Sequence, residues 1–570
     1  MAASIETATP AEIAPDEAVA PQTWSTGRII TLSLLALLVA TGFWFRAAQL
    51  GAEGLSEDEL NKLYAVEDYR ARGLSSKNGE HPMLMKALIT VSVVAVEDWN
   101  ALPIAQNYPA LRISTEAALR IPGALVGALT TVLVFLVAAS LFGPEIGLIA
   151  AALWALDPSG ISFNRIAKED SFLLFFFLLA NVFWLRSQRL AETGSSDPTP
   201  YYWATAAAFG AMVASKYMPH FLAISASYYH IFQGVPRTRW RLGKRRWLLF
   251  FAIMGLAFLI CNPAILLPET WHEMKMFASE RRIGHDAYEF MGQLYPNQMS
   301  LWLKGVPWSF YFVFMAFKLP VPVIIAALVG LPLLFRRRLG DGRYFMLFWL
   351  FFWFLPFTVL GGKFTRYFAM ALPAVLITAA VGAHFILRSL SRQISKAWSS
   401  HAPGPWVTTI GAALLVAFSA LASARAAPHY RLYTNILGGG AARAGSYFPH
   451  DEFYDASVRE AALACAQRLR PNALVASETP DLFAYYAQMA GRQDLVSVSL
   501  SDKQARQRLQ TGDCIIVARG RRYFSNVQAV RKLQAASSPT VTLRLGATPS
   551  AQIFILDRAA LAALSEASGN

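Results

Sequence analysis

The sequence predicts a polytopic α-helical membrane protein with about eleven transmembrane helices and a C-terminal α/β domain. Of its 570 residues, 55% are hydrophobic and only 15% are charged, which is more apolar surface than one soluble core can bury. The apolar residues form long runs that are separated by short polar loops. The net charge of +14 lies largely in those loops, as the positive-inside rule expects, and so it does not indicate a nucleic-acid-binding protein.

The chain begins with residues 1–27, whose Ala, Thr, Pro and Glu content predicts a disordered cytoplasmic tail. Residues 28–427 are predicted to form a transmembrane region, because an apolar run of about 20 residues can cross a bilayer. The predicted spans are residues 28–50, 120–142, 147–163, 171–185, 201–218, 219–235, 247–266, 320–335, 344–360, 367–387 and 405–425. The first loop, residues 51–119, contains the apolar run Ala87–Val96, whose length of about half a span predicts an interfacial helix.

Basic residues give the predicted orientation. When the spans alternate, short acid-poor loops on one side hold Arg186, Arg189, Arg237 to Arg246, Arg336 to Arg338, Arg343, Arg388, Arg392 and Lys396. That side is predicted to be the cytoplasm, in a cytoplasmic (inner) membrane. The loops on the opposite face mix acids with bases, so the chemistry and the C-terminus are predicted to be extracytoplasmic.

Residues 428–570 differ from the rest, because apolar clusters alternate with amphipathic stretches there. The alternation predicts an extracytoplasmic α/β domain with a largely parallel sheet. Candidate strands are Ala473–Ser477, Leu495–Leu500, Asp513–Ala518, Val541–Leu545 and Gln552–Leu556, and candidate helices are Tyr454–Leu469 and Asp481–Ala490.

Three adjacent carboxylates, Glu57, Asp58 and Glu59, open the most unusual loop of the chain. Carboxylates beside a membrane span are costly to retain unless they face water, a cation or a reacting hydroxyl. Asp58 and Glu59 are therefore candidates for a general base. The alternative is a solvated turn that caps a helix running from Leu60.

Cations and further polar residues recur on the same predicted face. Each has an ordinary structural explanation as an interfacial anchor, a snorkelling side chain or a helix start, but together they imply an anionic, membrane-borne ligand. The candidates for binding a lipid phosphate are Arg165, Lys168, Asp170, Lys216, Tyr217, Lys363 and Arg366, and those for a substrate cleft are His81, Lys86, His285 and Asp286.

The order of these motifs resembles that of the integral-membrane C-type glycosyltransferases, in the branch of the protein O-mannosyltransferases and lipid A aminoarabinose transferases. The motifs are Asp58-Glu59, His81-Pro82 with Lys86, Glu116 with Arg120-Ile121-Pro122, Arg165 with Asp170, Lys216-Tyr217, Gly284-His285 and Lys363 with Arg366-Tyr367. The resemblance covers about residues 28–425. It implies a sugar donor on a polyprenyl phosphate, inversion at the anomeric carbon, Asp58 as the base with Glu59 beside it, and Arg165, Asp170, Lys216 and Arg366 near the donor phosphate.

The sequence thus predicts a hexosyl- or pentosyltransferase of the cell envelope that transfers a sugar to a hydroxyl of a protein, lipid or glycan. The expected partners are the polyprenyl-phosphate donor, an unknown hydroxyl acceptor and membrane lipids, without nucleic acid. Glu57, Asp58, Asp170 and His285 offer metal ligands, but their spacing marks no site, so we expect no obligatory metal although a divalent ion is possible.

Two alternatives remain open at this point. A transporter or flippase of lipid-linked intermediates would need the basic lipid contacts without a base, and would show paired halves with interrupted helices. A scaffold protein would give no reason for acids and cations to gather on one face. In the C-terminal region, the segment Phe448–Asp455 is predicted either to start a helix, with Asp451 or Asp455 as the cap, or to form part of an acceptor site.

Overall fold

The computed structural model describes residues 26–232, 242–279, 286–397 and 404–568, so nearly all of the predicted tail lies outside it. Up to residue 426 the helices are α1 (Thr26–Ala47), α2 (Glu57–Arg72), α3 (Met83–Ala101), α4 (Pro103–Asn107), α5 (Thr115–Phe142), α6 (Pro144–Leu156), α7 (Pro158–Asn164), α8 (Asp170–Thr193), α9 (Thr199–Ser215), α10 (Leu222–Phe232), α11 (Lys244–Cys261), α12 (Pro268–Ser279), α13 (Phe310–Lys318), α14 (Val321–Leu333), α15 (Gly342–Val359), α16 (Leu372–Ala397) and α17 (Gly404–Ala426). A hairpin of β1 (Tyr288–Phe290) and β2 (Gln293–Tyr295) lies between α12 and α13.

The C-terminal region contains shorter elements. Its helices are α18 (Pro449–Phe453), α19 (Val458–Arg468), α20 (Pro480–Met489), α21 (Lys503–Gln507), α22 (Val527–Ala536) and α23 (Arg558–Ser568). Its strands are β3 (Leu474–Ser477), β4 (Val496–Ser499), β5 (Cys514–Ala518), β6 (Val541–Leu545) and β7 (Thr548–Ile555).

Long apolar helices make the chain a polytopic helical membrane protein. Within the described ranges, six helices are long and apolar enough to cross a bilayer, namely α1, α5, α8, α15, α16 and α17, and the pair α6 and α7, bent by 60°, would make a seventh. The predicted count of eleven is therefore not reached on length and composition. Helix α14 has only 13 residues, α9 has 17, and α11 begins with three cations, Lys244, Arg245 and Arg246.

Aromatic side chains fill the core of the helical region. Trp154, Trp184, Trp349 and Trp353 are fully buried. The indole N–H of Trp154 donates to the carbonyl of Gly127 at 3.0 Å, and that of Trp349 to the carbonyl of Met370 at 3.0 Å. These rings bury large apolar areas, and this packing fixes the helices that carry the loops of the site.

Helix α3 corrects one prediction. It extends over 19 residues, whereas the apolar run Ala87–Val96 predicts about half of that. The helix begins directly after Pro82, and it continues through Glu97 and Asp98 to Ala101. The length of an apolar run underestimates the length of a helix whose polar end residues continue the helical hydrogen bonds.

The C-terminal sheet is mixed rather than largely parallel. Its strand order is β4-β3-β5-β7-β6, in which β3 pairs with β4 and β5 in parallel, while β7 pairs with β5 and β6 antiparallel. Only Gly546 and Ala547 separate β6 from β7, and Gly546 has a φ of 58°. A two-residue connection is too short for a crossover helix, so this part of the sheet is a hairpin.

The C-terminal region is fastened to the loop that follows α1. Arg459 donates from Nη1 to the carbonyl of Gly51 at 3.0 Å and to Glu116 at 3.0 Å. The hydroxyl of Tyr486 donates to Glu116 at 3.0 Å and accepts the N–H of Leu55 at 2.6 Å. These contacts fix the chain just before the carboxylate triplet.

Helix α2 starts with a capping box that determines where the triplet points. The hydroxyl of Ser56 accepts the N–H of Glu59 at 3.3 Å, and the Glu59 carboxylate accepts the N–H of Ser56 at 2.9 Å. The same carboxylate binds the Arg120 guanidinium at 2.8 and 2.7 Å and accepts the N–H of Ala167 at 2.9 Å. Glu59, 1% exposed, thus joins α2 to α5 and to the turn before α8.

We predict that Glu59→Gln destabilises the protein by about 3–5 kcal/mol, because it leaves the Arg120 charge buried and unpaired. The measurement is the thermal unfolding midpoint in detergent. Glu97→Gln is the matched control, since Glu97 pairs with Arg70 at 2.8 Å but both side chains are about half exposed, at 50% and 45%. An exposed pair is worth about 0–1 kcal/mol, so equal midpoints for the two variants would contradict the prediction.

Candidate active site

A cavity of about 570 Å³ lies where the loops of the helical region meet the C-terminal region. It is lined by the first turn of α2, the loop before α3, the turn before α8, the chain after α9, the short helical turn at 365–370 and two segments of the C-terminal region. Six residues that the sequence predicts for the site line it, namely Asp58, His81, Lys168, Lys216, Tyr217 and Arg366.

Asp58 is one of the carboxylates that line the cavity, and its side chain is 38% exposed. Its Oδ2 accepts from the Lys168 ammonium at 2.8 Å and from the Tyr454 hydroxyl at 2.6 Å, and lies 4.0 Å from the Arg366 guanidinium. Burial alone would raise the pKa of the Asp58 carboxyl, but the charges of Lys168 and Arg366 outweigh it and hold the pKa well below its usual range. Asp58 is therefore ionised at neutral pH.

A second carboxylate, Glu169, holds a cluster of basic groups beside Asp58. Lys62 binds Glu169 at 2.7 Å with both side chains 1% exposed, Lys168 lies 3.9 Å from it, and Nδ1 of His81 lies 3.6 Å from it. Burial together with the charges of Lys62 and Lys168 lowers the pKa of His81 well below its ordinary value, despite the carboxylate. His81 is consequently neutral at physiological pH and can accept or donate a hydrogen bond.

Arg366 forms the opposite wall. Its guanidinium lies 3.9 Å from Asp451 and 4.2 Å from the centre of the Phe364 ring. The other oxygen of Asp451 accepts the Tyr288 hydroxyl at 2.6 Å and the N–H of Thr365 at 2.7 Å. Arg366 is thus held between two carboxylates and an aromatic face, and it lines the cavity.

Lys216 is the third cation of the wall. Its ammonium binds Asp170 at 2.6 Å and lies 4.8 Å from the centre of the Tyr367 ring. Asp170 itself is buried and does not line the cavity, so it orients Lys216 rather than meeting a ligand. Beside it, the hydroxyl of Tyr217 accepts from the Asn262 amide at 3.2 Å.

Arg165 does not reach the cavity, contrary to the prediction. Its guanidinium donates to the carbonyls of Phe45, Arg46, Ala48 and Gln49 at 2.7–3.2 Å. Phe45 and Arg46 belong to the last turn of α1 and Ala48 and Gln49 follow it directly, so the cation stabilises the C-terminal end of this helix. Arg165 is therefore a helix cap, and Lys168, three residues later, is the cation of this turn that meets Asp58.

Glu59 and three more of the predicted site residues also have structural roles. The three are Lys86, Lys363 and Asp286. Lys86 donates to the carbonyls of Lys77, Asn78 and His81 at 2.7–3.2 Å and so fixes the loop that carries His81. The ammonium of Lys363 donates to the carbonyls of Val306 and Leu360. Asp286 accepts the N–H groups of Phe524 and Ser525 at 3.1 and 3.0 Å. None of these lines the cavity, and His285 lies outside the described residues.

Several cavity residues were missed by the sequence reasoning. Lys62 stands four residues after Asp58 on one helix face, a spacing that predicts proximity. Tyr454 and Asp455 line the cavity and belong to the segment 448–455, for which a helix cap was one of the two predictions. Neither aspartate of that segment caps α18 or α19, since Asp451 supports Arg366 and Asp455 accepts the N–H of Glu57 at 3.2 Å.

The predicted metal ligands do not converge. Asp58 contacts Lys168, Asp170 contacts Lys216, and Glu57 lies 3.3 Å from the guanidinium of Arg521. In the part of the chain that the structure describes, no group of three or more His, Cys, Asp or Glu side chains could hold a metal ion.

The fold and the cavity define a polytopic helical membrane protein with a carboxylate and several cations gathered where its helices meet its loops. Residues 104–266 match the family model of the dolichyl-phosphate-mannose-protein mannosyltransferases. ArnT from Cupriavidus metallidurans in the apo state matches with a TM-score of 0.50 and 16% identity, over 93% of this chain and 98% of that one. The archaeal oligosaccharyltransferase AglB from Archaeoglobus fulgidus, in complex with an inhibitory peptide and a dolichol-phosphate, matches with a TM-score of 0.51 and 11% identity, over 87% and 70%.

The predicted resemblance to the C-type glycosyltransferases is thereby confirmed. At these identities the solved structures show a shared fold alone. A comparison with curated protein sequences finds no match.

The contacts of Arg165 predict a loss of stability when they are removed. Arg165→Gln leaves several carbonyls at the end of α1 without their charged donor, at a cost of roughly 1.5–3 kcal/mol. The thermal unfolding midpoint should fall accordingly. Arg189→Gln is the control, because Arg189 lies on the exposed face of α8. If both variants melt with the wild type, Arg165 does not have the structural role assigned to it.

Proposed function

We propose that the chain is an inverting glycosyltransferase that moves a sugar from a polyprenyl-phosphate donor to a hydroxyl acceptor. The observation that carries the proposal is the single cavity in which the Asp58 carboxylate faces Lys168, Lys216 and Arg366. The match to a mannosyltransferase family over residues 104–266 supports it. So does the fold shared with ArnT and AglB, the second of which is described in complex with a dolichol-phosphate.

The cations suit the leaving group of such a reaction. When the bond between the sugar and the lipid phosphate breaks, negative charge grows on the phosphate oxygens. Fixed cations near those oxygens stabilise that charge without reorganising, because carboxylates and aromatic rings already hold them in place. Arg366 can bind two phosphate oxygens at once, whereas Lys168 and Lys216 act as point charges.

Asp58 suits the role of the base. The acceptor hydroxyl attacks the anomeric carbon from the face opposite the phosphate and loses its proton to a carboxylate, so that the configuration inverts in one displacement. Lys168 and Arg366 make Asp58 a weak base, since they hold its pKa well below the usual range. A donor phosphate that pairs with these cations would offset their charge and make Asp58 more basic.

The proposed location is the outer face of the cytoplasmic membrane. It rests on the clustering of Lys and Arg in the loops of the opposite side. We propose in addition that the C-terminal region begins at residue 428 and lies outside the cytoplasm.

Replacing the base should abolish transfer but not lipid binding. We expect Asp58→Asn to lower transfer by about 100-fold or more, within the range that a general base contributes, and to retain affinity for undecaprenyl phosphate. Mass spectrometry of envelope lipids and proteins from cells with the wild type, the variant and no gene measures transfer. Asp68→Asn is the control on the same helix, since Asp68 contacts Ser75 and Arg72 outside the cavity.

This experiment also separates the enzyme from a transporter. A flippase of lipid-linked intermediates needs the cations but no base, so its flux should survive Asp58→Asn. Full modification of envelope products in Asp58→Asn cells would therefore overturn the proposed reaction.

Arg366 should dominate the affinity for the phosphate. We expect Arg366→Gln to weaken the binding of undecaprenyl phosphate to the purified protein by roughly 10- to 100-fold, because charge-assisted hydrogen bonds are each worth about 1.5–3 kcal/mol. Arg70→Gln, which removes an exposed arginine of α2, is the control. A phosphate affinity that is the same in both variants would remove Arg366 from the donor site.

A further inference from the structure

Two consecutive residues of the C-terminal region adopt a conformation that side chains other than glycine rarely take. Tyr454 and Asp455 have φ values of 44° and 62°, and both are buried. Residues in this left-handed region persist only where their surroundings hold them, and they concentrate at functional sites. The contacts of the two side chains indicate what this backbone conformation provides.

Both residues reach the first turn of α2. The Tyr454 hydroxyl donates to Oδ2 of Asp58 at 2.6 Å, while Oδ2 of Asp455 accepts the N–H of Glu57 at 3.2 Å. Asp455 is held in turn by Arg521, whose Nε donates to its Oδ1 at 2.6 Å. The unusual backbone therefore attaches this turn at two points, one on its backbone and one on the carboxylate that faces the cavity.

The closest contacts of Asp58 fall on one oxygen. Lys168, Tyr454 and Arg366 approach Oδ2, at 2.8, 2.6 and 4.0 Å. Among the described residues no hydrogen bond is made to Oδ1. A carboxylate that is held by one oxygen presents the other in a fixed direction, which is what proton transfer from a bound hydroxyl requires.

Tyr454 differs from the other two groups in its charge. Lys168 and Arg366 are cations, and any anion that enters the cavity competes with Asp58 for them. A neutral phenol is a poorer partner for a phosphate than an ammonium or a guanidinium is, and it lowers the basicity of a carboxylate less than a full positive charge does. Tyr454 is thus the contact that can remain on Asp58 when a ligand has taken the cations.

We propose that Tyr454 is a positioning residue that keeps Oδ2 of Asp58 fixed, so that Oδ1 meets the acceptor hydroxyl while the donor phosphate occupies Lys168 and Arg366. This inference rests on the proposed function. It assigns a part of the reaction to the C-terminal region, which reaches Asp58 through Tyr454.

The test is Tyr454→Phe, which keeps the ring that packs against Arg366 and Arg431, at 5.9 and 5.5 Å, and removes only the hydroxyl. The rate of product formation in membrane vesicles, at saturating donor, should fall by about 10- to 100-fold, as expected for the loss of one hydrogen bond to a charged group. The affinity for undecaprenyl phosphate should stay at its wild-type value, because the phosphate contacts are untouched.

A pH profile of the same rate provides a second readout. The groups that face Asp58 are Lys62, His81, Lys168, Arg366, Tyr367 and Tyr454. Hydrogen bonding from Tyr454 lowers the pKa of Asp58, so its removal raises that pKa. The pH below which the rate declines should therefore move upward in Tyr454→Phe. A residue with a merely structural role would not move it.

Tyr447→Phe is the matched control, because the Tyr447 hydroxyl donates to the carbonyl of Gly438 at 2.9 Å, away from the cavity. Its rate and its pH profile should equal those of the wild type. If Tyr454→Phe keeps the rate and the pH profile while Asp58→Asn is inactive, the positioning role is wrong and the proposed function stands. If Asp58→Asn is active, the proposed function itself fails.

Discussion

The buried ion pair between Glu59 and Arg120 is the constraint on which the site depends. It lies at the first turn of α2, where Glu59 also accepts the N–H of Ala167 and thereby joins α2, α5 and the turn before α8. Successive residues of a helix point about 100° apart, so anchoring Glu59 inward directs its neighbour Asp58 toward the cavity. Of these two adjacent acids, Glu59 has a structural role, which requires the burial of a charge pair, and Asp58 faces the cavity, where a ligand can reach it.

The cations of the cavity are arranged in the same manner. Three carboxylates other than Asp58 each pair with one of them, Glu169 with Lys62, Asp170 with Lys216 and Asp451 with Arg366. Such pairing offsets the cost of removing an ammonium or guanidinium from water and fixes its direction before any anion arrives. Lys168 is the exception, because its closest carboxylate is Asp58 itself at 2.8 Å. Under the proposed function, Lys168 stabilises the phosphate and also lowers the basicity of Asp58. Phosphate binding and the strength of the base are therefore coupled.

The sequence predicts which residues gather at the cavity better than it predicts the direction of each side chain. Six predicted residues line the cavity because an ordered series of motifs on one face places them there. Arg165 and Lys168 show the limit, since both are cations of one short turn. The sequence cannot tell which of them finds the carbonyls at the end of α1, as tertiary packing decides that. Likewise, the hydropathy pattern locates the helices, whereas the hairpin of β6 and β7 depends on a turn at Gly546 that the strand pattern does not reveal.

The cavity also crosses the border that composition marks near residue 428. Arg521 and Tyr523 follow the carboxyl end of β5 and line the cavity, and Asp455 links Arg521 to the first turn of α2. Strand β5 lies beside β3. The chain runs from β3 to β4 on one side of β3 and then returns to β5 on its other side. The crevice at such a change of direction is where α/β sheets bind ligands. The edge of the sheet at the carboxyl end of β5, where a ligand would bind, thus lies toward Asp58.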